Sequence, residues 1–102
     1  MNNYSIVFRE PGIVDIEEQE IKDPGKNEIL IETHCTLIST GTELTILSGN
    51  FPEGSAWDNF SEFPFFPGYN NIGEIVKVGS EVDDKYLGNR VAIYGKHRKY
   101  NI

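Results

Sequence analysis

The 102-residue sequence contains one cysteine, Cys35, few basic residues and no long apolar run. With one cysteine the chain cannot form an internal disulfide, and it cannot build a zinc site from several thiolates. No segment approaches the ~20 apolar residues that a membrane-spanning helix needs. No apolar run follows a basic N-terminal segment either, so the sequence predicts no signal peptide and favours a cytoplasmic location.

Basic residues number 9 against 16 acidic ones, which gives a formal net charge of −7. This balance argues against nucleic acid and against an anionic membrane surface as partners. The sequence also lacks the pattern Gly-x-Gly-x-x-Gly, which places the pyrophosphate of a dinucleotide at a helix N-terminus. We therefore expect that this chain by itself does not bind NAD or NADP.

Short apolar segments separated by turn residues predict a mainly β chain. The strand patterns cover residues 4–9, 13–21, 28–38, the segment that follows Gly68, 91–94 and 97–102. In the third of these, the alternating pattern places Leu30 and Ile31 on opposite faces. The sequence thus predicts a mostly antiparallel sheet.

One short helix interrupts this β pattern. Residues 39–43 break the alternation, and the apolar residues at positions 44, 46 and 47 predict one or two helical turns that end at Gly49. Thr40 or Thr42 is the expected N-cap because a hydroxyl can accept a hydrogen bond from a free backbone N–H. Glu43 in the first turn suits the helix dipole.

Residues 50–67 show little periodicity and hold six bulky aromatic side chains. An irregular stretch of this length in a compact domain is usually functional or mobile. Two of these residues, Phe51 and Trp57, are candidate substrate contacts, and their rings would suit an apolar or ring-bearing compound. The alternative is that these rings cap one end of the β-structure or rest on a partner domain. The other four aromatic residues are Phe60, Phe63, Phe65 and Phe66.

Four segments, in order, resemble the medium-chain dehydrogenase/reductase superfamily, to which the alcohol dehydrogenases belong. They are residues 8–52, FPFFPGYNNIGEIVKVGSEV, LGNRVAIYG and HRKYNI, and together they cover nearly the whole chain. The resemblance implies that residues 1–102 form a single GroES-like domain, a partly open β-barrel with one or two short helices. In the family this domain packs against a C-terminal Rossmann domain that binds NAD or NADP, so the resemblance implies a piece of a longer chain.

The resemblance is to the zinc-independent branch of the family. In zinc-using members a Cys precedes the Gly-Thr-Asp/Glu motif and a His-Glu pair follows Pro-Gly. Here Thr40 stands at the Cys position, and Tyr69 and Asn70 stand at the His and Glu positions. A neutral hydroxyl and a phenol are poor substitutes for thiolate and imidazole. Glu43 alone keeps the acidic position beside the metal ligands, so we expect no bound metal.

The remaining potential ligands lie at positions that argue against metal binding. Cys35 lies five residues before Thr40 and is expected to be an ordinary strand residue. His34 and His97 lie far from the Gly-Thr-Glu motif along the chain, which argues against their being metal ligands.

Without zinc, another group must hold or protonate the substrate oxygen. Thr42 matches the family hydroxyl that relays a proton near the substrate alcohol, and Tyr69 offers a phenol to a developing alkoxide. Asn70 is a candidate for holding a substrate ring or a water. The alternatives are that Thr42 is only a helix cap and that Tyr69 only fills the space left by the metal.

The sequence therefore predicts the substrate-side domain of an NAD(P)-dependent alcohol or carbonyl oxidoreductase without catalytic zinc, inactive by itself. Two alternatives stay open: a free-standing GroES-like binding or assembly module, and a degenerate homologue without catalysis. The expected partners are the C-terminal Rossmann domain and a small alcohol or carbonyl substrate. The substrate's identity, the choice between NAD and NADP, and homodimer formation are left open by the sequence.

Overall fold

A computed structural model describes residues 2–50 and 62–102, and these residues form six strands and one α-helix. The prediction of a mainly β chain is thereby confirmed. Phe51 and Trp57 lie outside the described residues. In the described part of the chain, no helix is long and apolar enough to cross a membrane. The elements are β1 (Asn2–Glu10), β2 (Ile13–Glu20), β3 (Ile29–Thr36), α1 (Thr40–Ser48), β4 (Asn71–Val78), β5 (Arg90–Ile93) and β6 (Tyr100–Asn101).

The strands form two antiparallel sheets. β1 and β2 make a hairpin, and the second sheet has the order β5-β4-β3-β6. The hairpin joins the rest of the domain through two isolated bridges, Ser5 with Arg98 and Phe8 with Phe65. Among the described residues neither sheet closes on itself, which is consistent with a partly open barrel.

Two neighbouring residues near the start of strand β3 are both buried. Leu30 is 1% exposed and Ile31 is 2% exposed, so both neighbours are buried. The pairing with β4 shifts register between these two residues, and the extra residue, Val76, lies in β4. Burial of both neighbours does not contradict their placement on opposite faces, which stays a prediction. The expectation for Cys35 is confirmed, since it lies in β3 with an exposed side chain.

Helix α1 starts earlier than predicted. Its N-cap is Ser39, so the assignment of Thr40 or Thr42 as the cap is wrong. The side chain of Ser39 makes no capping bond; instead, the Glu43 carboxylate accepts the Ser39 backbone N–H at 2.5 Å. The predicted end is confirmed: Gly49 has φ 63°, the left-handed conformation that glycine adopts without a steric cost.

Candidate functional site

Glu43 in the first turn of α1 is buried, with 4% of its surface exposed. One carboxylate oxygen, Oε2, accepts the backbone N–H of Ser39. The other, Oε1, pairs with Nε2 of His97 in a short contact. Because both oxygens have partners, this buried acid is compensated as a buried charge must be. Glu43 therefore ties the start of α1 to the segment between β5 and β6.

His97 is the second member of this pair and is 9% exposed. Its backbone N–H donates to the Pro67 carbonyl at 3.1 Å, and its carbonyl accepts the Ile6 N–H at 2.9 Å. Its ring nitrogen Nδ1 lies 2.8 Å from Oγ1 of Thr36, at the end of β3. The side chains of Thr36, His97 and Glu43 thus form one continuous hydrogen-bonded line across three parts of the fold.

An apolar cavity of about 450 Å³ adjoins this line. It lies between the hairpin and α1, and Thr36, Glu43 and His97 contribute its polar wall. Three of its apolar residues, Val14, Ile38 and Leu44, are exposed, so the cavity opens to solvent along that side. Its apolar side chains are those of Ile6, Phe8, Val14, Ile38, Leu44, Leu47 and Pro67.

Gly68 brings the segment before β4 against His97. Its φ is +114°, and a Cβ at this position would lie 2.5 Å from the backbone nitrogen of His97. That distance is far below a normal contact, so only glycine lets Pro67 accept the His97 N–H. The Pro67-Gly68 pair of the sequence motif therefore fixes the position of the His97 imidazole.

The residues predicted from the motifs lie around this site without forming a connected group. Thr40 is exposed and Thr42 half-buried on the first turn of α1, while Tyr69 (39% exposed) and Asn70 are exposed before β4. Within residues 2–50 and 62–102, no side-chain hydrogen bond joins the two threonines to Tyr69 or Asn70. Their catalytic and binding roles stay predictions, as do those of Phe51 and Trp57.

Sequence reasoning finds Glu43 but misses Thr36 and His97. Distance from the Gly-Thr-Glu motif argues against His97 as a metal ligand, and 54 positions do separate it from Glu43. No spacing rule connects two such residues, since the fold alone brings them together. The neighbouring Arg98 is also affected by the fold: burial lowers the pKa of its guanidinium, which stacks 5.4 Å from the Phe66 ring centre.

The described residues do not fit a catalytic zinc ion of the kind that zinc-using family members hold. In the described part of the chain, no three or more His, Cys, Asp or Glu side chains group to hold a metal. Both ring nitrogens of His97 already have partners. The positions at the motif offer a hydroxyl from Thr40, a phenol from Tyr69 and an amide from Asn70, which is a weak donor set for Zn²⁺.

Residues 25–100 match the family described as the alcohol dehydrogenase GroES-like domain. The chain belongs to this family, which confirms the predicted superfamily. It is 34% identical over 91 residues to sorbitol dehydrogenase of Ovis aries, covering 89% of this chain and 24% of that protein. It is 33% identical over 85 residues to alcohol dehydrogenase of Cupriavidus necator, covering 83% of this chain and 21% of that protein. The chain thus spans about a quarter of the length of these curated relatives.

Solved structures show the same fold. The quinone oxidoreductase of Escherichia coli, solved in complex with NADPH, has a TM-score of 0.66 and 26% identity over 96% of this chain and 30% of its own. A cinnamyl alcohol dehydrogenase of Sorghum bicolor has a TM-score of 0.69 at 19% identity, over 92% of this chain and 25% of its own, and shows the fold alone. The prediction of a GroES-like fold is confirmed.

Proposed function

We propose that this chain is the substrate-side domain of a cytoplasmic NAD(P)-dependent oxidoreductase that interconverts an alcohol and a carbonyl compound without catalytic zinc. The observation that carries the proposal is the engagement of Glu43, the acid of the Gly-Thr-Glu motif, by His97. The relatives support the reaction class, since two are named sorbitol dehydrogenase and alcohol dehydrogenase and one is named quinone oxidoreductase.

The Glu43 contacts support a site that works without metal. An acid beside a zinc site orients a metal-bound histidine by accepting its second ring N–H. In this chain the position of that histidine holds Tyr69, and the Glu43 carboxylate accepts from His97 and Ser39 instead. The acid therefore has a structural partner that replaces the metal ligand.

The chemistry is divided between two domains in this proposal. A nicotinamide cofactor, held by a C-terminal Rossmann domain, supplies the hydride when it is bound. The residues of this chain bind the substrate, exclude water and hold or protonate its oxygen. Thr42 and Tyr69 are the motif-based candidates for that hydroxyl. Thr40, Asn70, Phe51 and Trp57 are the proposed surrounding contacts.

A cofactor titration tests this division of labour. We expect NADH or NADPH titrated into the 102-residue chain to show no saturable change in nicotinamide fluorescence, because the dinucleotide motif is absent. The full-length protein that contains the chain is the matched control and should bind one of the two. Micromolar binding by the isolated chain would contradict the proposal, and absence of binding by the full-length protein would favour a binding or assembly module.

A further inference from the structure

We infer that the apolar cavity beside α1 is the substrate-binding site, and that Thr36 exchanges the reaction's proton with the substrate oxygen through His97 and Glu43. The substrate class is a small carbonyl compound with an apolar body, or the corresponding alcohol. The inference rests on the proposed function and names its substrate class and its proton donor.

The cavity has the size and chemistry of a small-molecule site. Its volume of about 450 Å³ lies in the range of roughly 300–1,000 Å³ typical of ligand pockets, which are mostly apolar with few convergent polar groups. The side chains of Ile6, Phe8 and Leu47 form part of the apolar wall. Among the described residues, the polar wall is formed by Thr36, His97 and Glu43, with the His97 ring hydrogen-bonded to each of the other two. An apolar body therefore fits the walls, and a single oxygen fits the polar end.

The hydrogen-bonded line has the order that proton transfer requires. The Glu43 carboxylate accepts from Nε2 of His97, which fixes the ring so that Nδ1 faces Thr36 at 2.8 Å. A carboxylate that holds an imidazole in one orientation and stabilises its protonated form is the arrangement used in hydroxyl–imidazole–carboxylate sites. Burial of Glu43 and His97 strengthens these contacts because the local dielectric is low.

Thr36 is better placed for this role than the two motif-based candidates. Its hydroxyl is joined to a titratable ring that can replace the proton it gives away. In the described residues, no side-chain hydrogen bond connects Thr42 or Tyr69 to a titratable group. A hydroxyl without such a partner can hold a substrate oxygen but has no described route for resupply of a proton.

The step balances in both directions. In reduction, the hydride adds its electron pair to the carbonyl carbon, and the electrons of the C=O π bond move to oxygen. That oxygen takes the Thr36 hydroxyl proton, and Thr36 takes the proton from Nδ1 of an imidazolium His97 while Glu43 stays ionised. In oxidation, the alcohol proton would pass to Thr36, the Thr36 proton would pass to Nδ1 of neutral His97, and the carbon would give up its hydride, which the oxidised nicotinamide of the proposed function would accept.

The reaction should depend on pH in opposite ways in the two directions. Reduction requires protonated His97 and falls as pH rises, whereas oxidation requires the neutral ring and falls as pH falls. The other titratable or charged groups near His97 are Glu43 on α1, Cys35 on β3, Tyr4 on β1, and Lys96, Arg98 and Lys99 beside it in the chain.

Kinetics of the full-length enzyme test the proton donor. We expect Thr36→Val to lower kcat for reduction of 2-heptanone by about 10²–10⁴-fold, the usual contribution of a positioned proton donor, with little change in KM. Thr36→Ser should restore most of the activity, and Thr45→Val on α1 is the matched control. His97→Gln should remove the pH-dependent limb of kcat, which a merely structural role would not do.

Binding without cofactor tests the cavity separately. We expect 2-heptanone to shift the NMR methyl signals of Leu44 and Leu47, and Val14→Trp at the rim to abolish the shift. No methyl shift, or full reductase activity in Thr36→Val, would overturn this inference alone. No turnover of any alcohol or carbonyl by the wild-type protein, with NADH and NADPH both supplied, would overturn the proposed function as well.

Discussion

Replacing Glu43 by alanine should lower the free energy of unfolding by about 3–5 kcal/mol, the cost of removing one member of a buried charged pair. The substitution leaves His97 buried with an unpaired ring nitrogen and also removes the acceptor for the Ser39 N–H. A domain of this size has a total stability of about 5–15 kcal/mol. The variant is therefore expected to be partly unfolded at 37 °C, as measured by urea unfolding followed by circular dichroism.

Two further variants distinguish the loss of the Glu43–His97 contact from the loss of one negative charge. Glu43→Gln keeps one acceptor oxygen and the shape of the side chain but puts an amide donor in place of the second oxygen, and it should lose only about 1–2 kcal/mol. Glu81→Ala removes an exposed acid and should change stability by less than about 0.5 kcal/mol. Equal stabilities of Glu43→Ala and Glu81→Ala would show that the Glu43–His97 contact does not hold the domain together.

Replacing Gly68 by alanine should destabilise the domain by about 2–5 kcal/mol, from backbone strain at positive φ together with overpacking. The added Cβ would lie 2.5 Å from the His97 nitrogen and 2.9 Å from the Lys96 backbone. Because those are backbone atoms, relief requires the segment that carries His97 to move. We therefore expect lower stability together with a shifted His97 ring signal in NMR spectra.

Two other glycines provide graded controls for this substitution. Gly12 has φ +79°, and a methyl group added there would meet nothing within 4 Å, so Gly12→Ala should cost only about 1–2 kcal/mol from the backbone. Gly41 lies in α1 with open space around it, and Gly41→Ala should stabilise by about 0.5–1 kcal/mol. If Gly68→Ala costs no more than Gly12→Ala, the close approach to His97 is wrong.

The fold was predictable because local signals agree with it. Alternating apolar residues mark the strands, and Gly49 marks the end of α1 through its positive φ. Alternation could not predict that Leu30 and Ile31 are both buried, or that the pairing of β3 with β4 shifts register between them. A bulge of this kind depends on the partner strand, and the alternation within β3 carries no information about it.

The site was predictable only in part, for a similar reason. Glu43 could be found because it belongs to a contiguous motif. Thr36 and His97 join it through contacts between distant segments, and their positions depend on Gly68 and on the pairing of the His97 segment with β1. The helix cap was missed for a different reason: Ser39 takes the cap position without a side-chain capping bond, and the Glu43 carboxylate accepts its N–H instead.

The most direct test of the central claim is the zinc content of the full-length protein after dialysis against a chelator, measured by elemental analysis together with NAD(P)H-dependent carbonyl turnover. We expect far less than one zinc per chain, with turnover retained, because Glu43 is engaged by His97 rather than by a metal-bound imidazole. One zinc per chain that survives dialysis, or turnover that is lost with the metal and restored by adding it, would contradict the account.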